Sequence, residues 1–477
     1  MKDGVNMKSL KILRATKIVS TLGPSTSDYK TIKSLMIAGV NVFRLNFSHG
    51  SQEDHKKSVE IIRRLEMELD FQIAILADLQ GPKFRIGYVK DKIILKKGNK
   101  FVFDQKKDIG DENRVYLSHK EIYNCVKKDT VILIDDGKIK LEVIEKTGTQ
   151  IVTQIIDGGT LTSNKGLNLP NAILETDSLT LKDKKDLKFI LKNNVEWIAI
   201  SFVQKLSDVL KVKKIVKSKA AIISKIEKPS ALNELNEIIL ASDAIMVARG
   251  DLGVELPPER VPGIQKDIIL ACRTNGKPVI VATQMLESMI LSPAPTRAEA
   301  SDVATAVFDG ADAVMLSAET AVGRYPIETV KIMDRIIKAS EHHIKTHRKE
   351  TNKKLMVDNS IYYAVSRSAV DLAETVNARA IVAFTASGKT ALRISRERPD
   401  LMLIVMTPEN QVRRRMSLIW GSRTYLSKVQ GYEAAIQEAR TIIKKNRIAN
   451  NGQNIVVVAG MPFGISGSTN SIRVVTI

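Results

Sequence analysis

The sequence predicts an α/β protein built on a (β/α)8 barrel, with a small β-rich domain inserted into it and a separate α/β domain after it. Three observations carry this reading. Eight short, β-branched apolar runs end in polar residues, and amphipathic segments lie between most of them. One interval between runs exceeds a hundred residues and alternates apolar and polar with period two. After Lys345 a polar stretch leads into a second alternation of apolar runs and helical segments.

The eight runs are Lys17–Gly23, Val40–Phe47, Ile73–Leu79, Val195–Val203, Ala220–Glu227, Ala244–Asp251, Pro278–Gln284 and Ala313–Thr320. Short apolar runs of this kind fit parallel strands buried on both faces. Tyr29–Ala38, Asp54–Leu69 and Pro229–Leu240 carry apolar residues at helical spacing. The long interval after Leu79 holds Lys92–Leu95, Lys100–Phe103, Thr130–Ile134, Lys138–Ile144 and Gln150–Ile156, with Asp135-Asp136-Gly137 as a hairpin turn. The expected division is barrel 1–80, inserted domain 81–171, barrel 172–345 and C-terminal domain 346–477. The last has strands expected at Ala380–Thr385, Leu401–Thr407, Arg423–Val429, Asn454–Gly460 and Ile472–Ile477. Length agrees, since 477 residues at ~100–200 per domain predicts about three domains.

Composition bounds the class. With 44% hydrophobic and 26% charged residues the chain is too apolar for disorder. Cys125 and Cys272 form no CxxC, which excludes a disulfide framework or a cysteine zinc site and predicts a reducing compartment. No run approaches the ~18 apolar residues of a membrane helix. Met1–Lys17 lacks the apolar core of a secretory signal, so a cytoplasmic protein with a short solvated arm is expected. The balance of 73 basic against 53 acidic residues, +20, is spread over scattered lysines such as Lys182, Lys184, Lys185 and Lys188. That pattern reads as a solvated basic surface, with no nucleic-acid or membrane partner.

Barrels of this type place their chemistry at the C-terminal ends of the strands. Those ends carry Thr21, Arg44, Asn46, Ser48, Asp78, Ser201, Lys225, Glu227, Arg249, Asp251, Thr283, Gln284 and Glu319. Isolated charges beside an apolar core are costly unless paired or bound to an ion. Lys225 and Glu227 are two apart in a strand and share a face; Asp251 ends the next run. Two carboxylates without a nearby His or Cys suit a hard cation such as Mg2+, and a lysine beside it suits a transferring phosphoryl group. The same three residues also suit a plain ion-pair network. Arg44, Asn46 and Ser48 lie on one strand face, Arg44 as a phosphate clamp and the others, with Asp78, as oxygen donors or turn caps. Gly250 and Gly253 offer backbone N–H groups to an anion, or simply permit a tight turn. Thr385, Ser387, Gly388, Lys389 and Thr390 follow a strand and open a helix, and so many phosphate-type groups together suit a phosphate site better than simple capping by Ser387 or Thr390. There is no GxxxxGK[ST] loop and no HRD motif.

The segments RLNFSHG, LADLQGPK, SKIE, MVARGDLGVE, ATQMLESM, PTRAEASDVA and DAVMLSAETAVGRYP, in that order, resemble the pyruvate kinase family from Thr16 to the C-terminus. The resemblance implies a barrel with a mobile domain inserted after its third strand, a C-terminal regulatory domain, and a homotetramer. It also implies phosphoryl transfer from phosphoenolpyruvate to ADP, the last step of glycolysis. Glu227 and Asp251 match ligands of Mg2+ or Mn2+, and Lys225 matches the lysine that stabilises the transition state. Arg44, Gly250, Asp251 and Thr283 match phosphoenolpyruvate or pyruvate contacts, with Thr283 near the proton delivered to the enolate. Arg85, Lys165, His49 and Asn46 match nucleotide or phosphate contacts.

Two departures from the family pattern carry expectations. At the monovalent-cation site Asn46, Ser48 and Asp78 match, but Leu79 replaces a threonine and Lys83 stands where potassium-dependent members have Glu. Activity is therefore expected not to require K+. The late loop Gly460–Asn470 contains no Lys or Arg, whereas members responding to fructose 1,6-bisphosphate usually have basic or aromatic residues there. The ending GSTNSIRVVTI and the segment TASGKT look more like bacterial enzymes activated by AMP or a sugar monophosphate such as ribose 5-phosphate. The rivals are a barrel lyase or mutase acting on an enolate, which leaves Arg85, Lys165 and the lid unexplained, and a basic nucleic-acid-binding protein, which leaves the charged strand ends unexplained.

Overall fold

The computed structural model describes residues 14–170, 179–347, 360–463 and 469–477. Eight parallel strands close into a barrel in the order Lys17–Leu22, Ala313–Leu316, Val279–Ala282, Ala244–Ala248, Ala221–Ile226, Trp197–Ile200, Ala74–Asp78 and Val42–Asn46. Each falls within one of the eight expected runs, and all are shorter. The polar ends of several runs belong to the turns that follow. Alternation within the strands makes two cores. Ile18, Ile75, Ile198, Ile222, Ile245, Val281 and Val314 face the surrounding helices, whereas Val19, Leu76, Ala199, Ile223, Met246, Ile280 and Met315 fill the lumen.

The β-rich domain leaves the barrel after its third strand. It has a six-stranded sheet, a two-stranded sheet and its own apolar core around Phe101, Phe103, Ile132, Leu141 and Ile151. The short helix Lys120–Cys125 was not expected from the alternating pattern. The turn at Asp135-Asp136-Gly137 joins Val131–Ile134 to Ile139–Lys146 with all three residues at positive φ, which Asp tolerates and Gly favours. The chain enters this domain at Gly81, φ +69, where a Cβ would stand 2.9 Å from both Ser201 and Phe202. Only glycine fits that exit.

The C-terminal domain is a five-stranded sheet in the order Ser422–Leu426, Met402–Thr407, Ala380–Phe384, Asn454–Gly460 and Thr469–Thr476, the last antiparallel. It closes the end of the barrel opposite the polar strand ends. The lumen core runs on into Met416, Leu418 and Ile419, and the Trp197 indole N–H donates to the Arg415 carbonyl at 3.3 Å.

Three expectations need correction. The N-terminal segment is not solvated as far as Lys17. Arg14 is buried against Asp334, Asn41 and the carbonyls of Thr16 and Gly39, and Lys17 donates to the Ser422 carbonyl at 2.8 Å. Ser48 is not on the strand face of Arg44, because the strand stops at Asn46 and Ser48 lies in the turn beyond it. Asp251 does not end a strand but lies in the helix Arg249–Glu255.

Candidate active site

At the polar end of the barrel six side chains form one continuous network. Lys225 Nζ lies 2.7 Å from Glu227 Oε1, 2.8 Å from Ser201 Oγ and 3.4 Å from Asp78 Oδ1. Arg44 Nε donates to Asp78 Oδ2 at 2.7 Å, and an Arg44 Nη donates to Thr21 Oγ1 at 3.1 Å. Glu227 Oε2 accepts the Phe202 backbone N–H at 2.7 Å. Strand geometry makes this possible. Lys225 and Glu227 project to one side, and neighbouring parallel strands bring Arg44 level with Leu76 two residues before Asp78.

The electrostatics follow from burial. Burial works against the charge of Lys225, yet the carboxylates of Asp78, Glu227 and Asp251 outweigh it and hold the ammonium above its ordinary range. Burial alone would raise Asp78, but Lys225 and Arg44 reverse that and keep it ionised. Glu227 goes the other way, pushed up to about 7 chiefly by burial, with Asp251 adding to what Lys225 opposes. With Glu227 ionised, Arg44 and Lys225 supply +2 and Asp78, Glu227 and Asp251 supply −3, so the cluster carries −1. The Asp251 carboxylate accepts no hydrogen bond from the described residues. Two carboxylates in negative excess, offering oxygen only, fit a hard divalent cation. Among the described residues no three His, Cys, Asp or Glu side chains surround a metal position. A cation here would draw further oxygens from a substrate.

Beside this network Thr283 and Gln284 both adopt the left-handed conformation, φ +69 and +54. Such backbone costs on the order of 1–3 kcal/mol per residue and must be held by its surroundings. Thr283 Oγ1 accepts the Gly250 N–H at 2.7 Å and donates to the Ala282 carbonyl at 2.6 Å. Arg249 donates to the Thr283 carbonyl at 2.7 Å and to Asp302 at 2.6 Å. Sequence reading placed Arg249 at a strand end and gave it no task, and it singled out Asp302 not at all. Their spacing carries no signal, because the pair forms only when the helix Arg297–Asp309 packs beside Arg249–Glu255.

Comparison with known proteins identifies the family. The family model for the pyruvate kinase barrel domain matches residues 13–330, and that for the pyruvate kinase alpha/beta domain matches 363–475. The chain belongs to the pyruvate kinase family. A pyruvate kinase of Agrobacterium vitis is 47% identical over 97% of both chains, and one of Methylorubrum extorquens is 44% identical over 98% of both. One from Staphylococcus aureus is 41% identical over 97% of this chain and 80% of its own. The crystal structure of a pyruvate kinase from Cryptosporidium parvum superposes with TM-score 0.91 at 34% identity, covering 99% of this chain and 97% of the other. The chain is thus a phosphotransferase, and no helix among its described residues is long and apolar enough to cross a membrane.

The remaining residues singled out from the pyruvate kinase pattern lie outside the six-residue network. Asn46 Oδ1 accepts the Ser48 N–H at 3.1 Å, so this pair caps a turn. His49 is exposed and its carbonyl partners His55 Nε2. Leu79 is buried, and Lys83 is exposed with its methylenes near Gly166. Arg85 and Lys165 are in the lid, Arg85 on the Asn164 carbonyl at 2.9 Å and Lys165 on Asp135 at 2.7 Å. Glu319 is buried, raised by that burial, and its carboxylate accepts the N–H groups of Ser317 and Leu286. It braces two turns.

In the C-terminal domain the helix Lys389–Arg396 begins at Gly388, φ +87, where a Cβ would stand 2.7 Å from Met416. Neither Ser387 nor Thr390 caps it. Thr385 Oγ1 accepts the Gly388 N–H at 2.9 Å, and Thr390 is turned inward onto Thr469 at 2.6 Å. Lys389 is exposed. Part of the late loop, 464–468, lies outside the described residues.

Proposed function

We propose that this chain transfers the phosphoryl group of phosphoenolpyruvate to ADP, giving ATP and, after protonation of the enolate at carbon, pyruvate. The observation that carries the reading is the Lys225 ammonium, buried and fixed by Glu227, Ser201 and Asp78. Phosphoryl transfer needs positioning and charge neutralisation more than covalent chemistry, and a charge fixed in advance needs no reorganisation during the reaction. Lys225 meets the phosphoryl oxygens as the P–O bond to enolpyruvate breaks and the bond to the β-phosphate of ADP forms. Arg44, braced on Asp78 and Thr21, orients the substrate phosphate. Thr283, held by Gly250 and Arg249, stands where the enolate carbon takes its proton. Arg85 and Lys165 of the lid, with His49 and Asn46 at the rim, contact the nucleotide, and lid closure excludes water. Glu227 and Asp251 would hold Mg2+ or Mn2+, which would supply hard positive charge to neutralise the transferring phosphoryl group.

Potassium is not required in this reading. Asp78 is already ion-paired with both Arg44 and Lys225, although its Oδ1 accepts no hydrogen bond, Leu79 offers no hydroxyl, and Lys83 brings its own ammonium. A monophosphate such as AMP or ribose 5-phosphate activates through Thr385, Ser387, Gly388, Lys389 and Thr390. The enzyme works in the cytoplasm as a homotetramer.

The test is pyruvate formation from phosphoenolpyruvate, ADP and Mg2+ without potassium or ammonium. Turnover that KCl barely changes is expected. Activity only with KCl would sink the Lys83 argument, and none in either buffer would return the chain to enolate lyases. Stronger activation by fructose 1,6-bisphosphate than by AMP, abolished in Lys389→Ala, would overturn the effector assignment.

A further inference from the structure

The helix Arg249–Glu255 touches two things at once. Its first turn holds Gly250 and Asp251, and its last two residues meet the lid. Glu255 is buried, and its Oε1 accepts both Lys228 Nζ at 2.6 Å and Asn168 Nδ2 at 2.8 Å. Its Oε2 is buried with no hydrogen-bond partner. Lys228, also buried, follows Glu227 directly. Asn168 is in the lid strand Leu167–Asn168, which pairs with Val131–Ile134. The turn after that partner strand brings Gly137 to where a Cβ would stand 3.9 Å from Val254. The same lid edge carries Lys165, tied to Asp135 of that turn.

We propose that Asn168 and Glu255 are positioning residues that seat the lid on the helix bearing Gly250 and Asp251, so that the nucleotide contacts of the lid are registered against the phosphoryl donor. The proposal rests on the substrate roles given above. A buried carboxylate that loses one of two partners bears the desolvation cost of the atom left behind. Lid lifting is therefore opposed at this point rather than evenly along the joint. A carboxamide is the group required on the lid side. It donates to the carboxylate without adding charge, whereas an aspartate would set two carboxylates face to face.

The experiment compares full-length wild type with Asn168→Ala, Asn168→Asp, Glu255→Gln and the exchanged pair Asn168→Asp/Glu255→Gln. Loss of a hydrogen bond to a charged group predicts that kcat/KM for ADP falls about tenfold in Asn168→Ala and further in Asn168→Asp. The Kd of phosphoenolpyruvate with Mg2+, by calorimetric titration, stays within about twofold, which separates lid seating from donor binding. The exchanged pair recovers part of the Asn168→Asp loss, because carboxylate again faces carboxamide, while Lys228 still lacks its ion pair with residue 255. Amide hydrogen exchange supplies a readout free of activity. It rises in both Asn168 variants at residues 81–86 and 165–169 but not in the other five strands of the lid sheet. An unchanged kcat/KM for ADP in Asn168→Asp overturns the proposal. So does a loss that the exchanged pair fails to recover while unfolding at the wild-type temperature. If wild type itself makes no pyruvate, the functional reading falls. Exchange then decides the seat alone, and unchanged rates at the joint in Asn168→Asp overturn it.

Discussion

Lys225 was legible in the sequence because strand periodicity alone puts it on one face with Glu227, and the ion pair at 2.7 Å follows. Asp78 and Arg44 could be singled out as strand-end charges, although nothing in their spacing shows that they would share a carboxylate with Lys225. Arg249 was beyond reach, because its partner Asp302 is set by helix packing. It yields the sharpest prediction at this scale. Arg249 transfers no proton and touches no reacting atom in the proposed reaction, yet it pins the carbonyl of a strained Thr283. Arg249→Ala is expected to lower kcat/KM for phosphoenolpyruvate about 10–100-fold through misplacement of Thr283, with ADP affinity little changed. Asp302→Asn, which keeps the shape, is expected to lose less. Steady-state kinetics with each substrate varied in turn checks this, and equal losses for both substrates would show a general collapse instead.

The elements were read well as strands and less well at their ends. The apolar runs continue past the last ladder hydrogen bond, so Asp251 passed for a strand residue although the chain has already turned into a helix. Ser48 was misplaced for the same reason. The lid helix Lys120–Cys125 is too short to show periodicity. The entry to the lid was legible as a change of period near Gly81, but why a glycine stands there needs the neighbouring strand. At φ +69, with Ser201 and Phe202 at 2.9 Å from any Cβ, Gly81→Ala brings both backbone strain and overlap. It is expected to destabilise by about 1–3 kcal/mol, read as a lower urea midpoint with unchanged slope. Because Ser201 also receives Lys225, the same change is expected to reduce kcat.

On the scale of the whole molecule, the net charge of +20 read as a solvated surface, but part of it holds the C-terminal domain to the barrel. Arg398 pairs with Asp312 at 2.9 Å, Arg414 with Glu66 at 2.7 Å, and Lys17 donates to the Ser422 carbonyl. The partners are separated by 86, 348 and 405 residues, which no local pattern can reveal. Lys17 is the instructive member. Burial, and then the nearby Arg14 and Arg423, depress it from 10.5 to about 7, and Glu341 and Asp312 only partly compensate. Folded protein therefore releases this proton near pH 7, whereas unfolded chain keeps it until about pH 10.5. Across that window the unfolded state binds more protons, so this residue makes stability rise with pH, by at most about 1.4 kcal/mol per unit. Below the window both states are protonated and the cost of burying the ammonium is borne in full. Lys17→Met removes the titration while keeping the apolar stem. Its stability advantage over wild type is thus expected to be largest near pH 6 and to shrink steadily toward about pH 9. Urea midpoints of the two proteins across that range decide it. Parallel curves would mean that Lys17 keeps its proton in the folded joint, held there by Glu341, Asp312 and the Ser422 carbonyl.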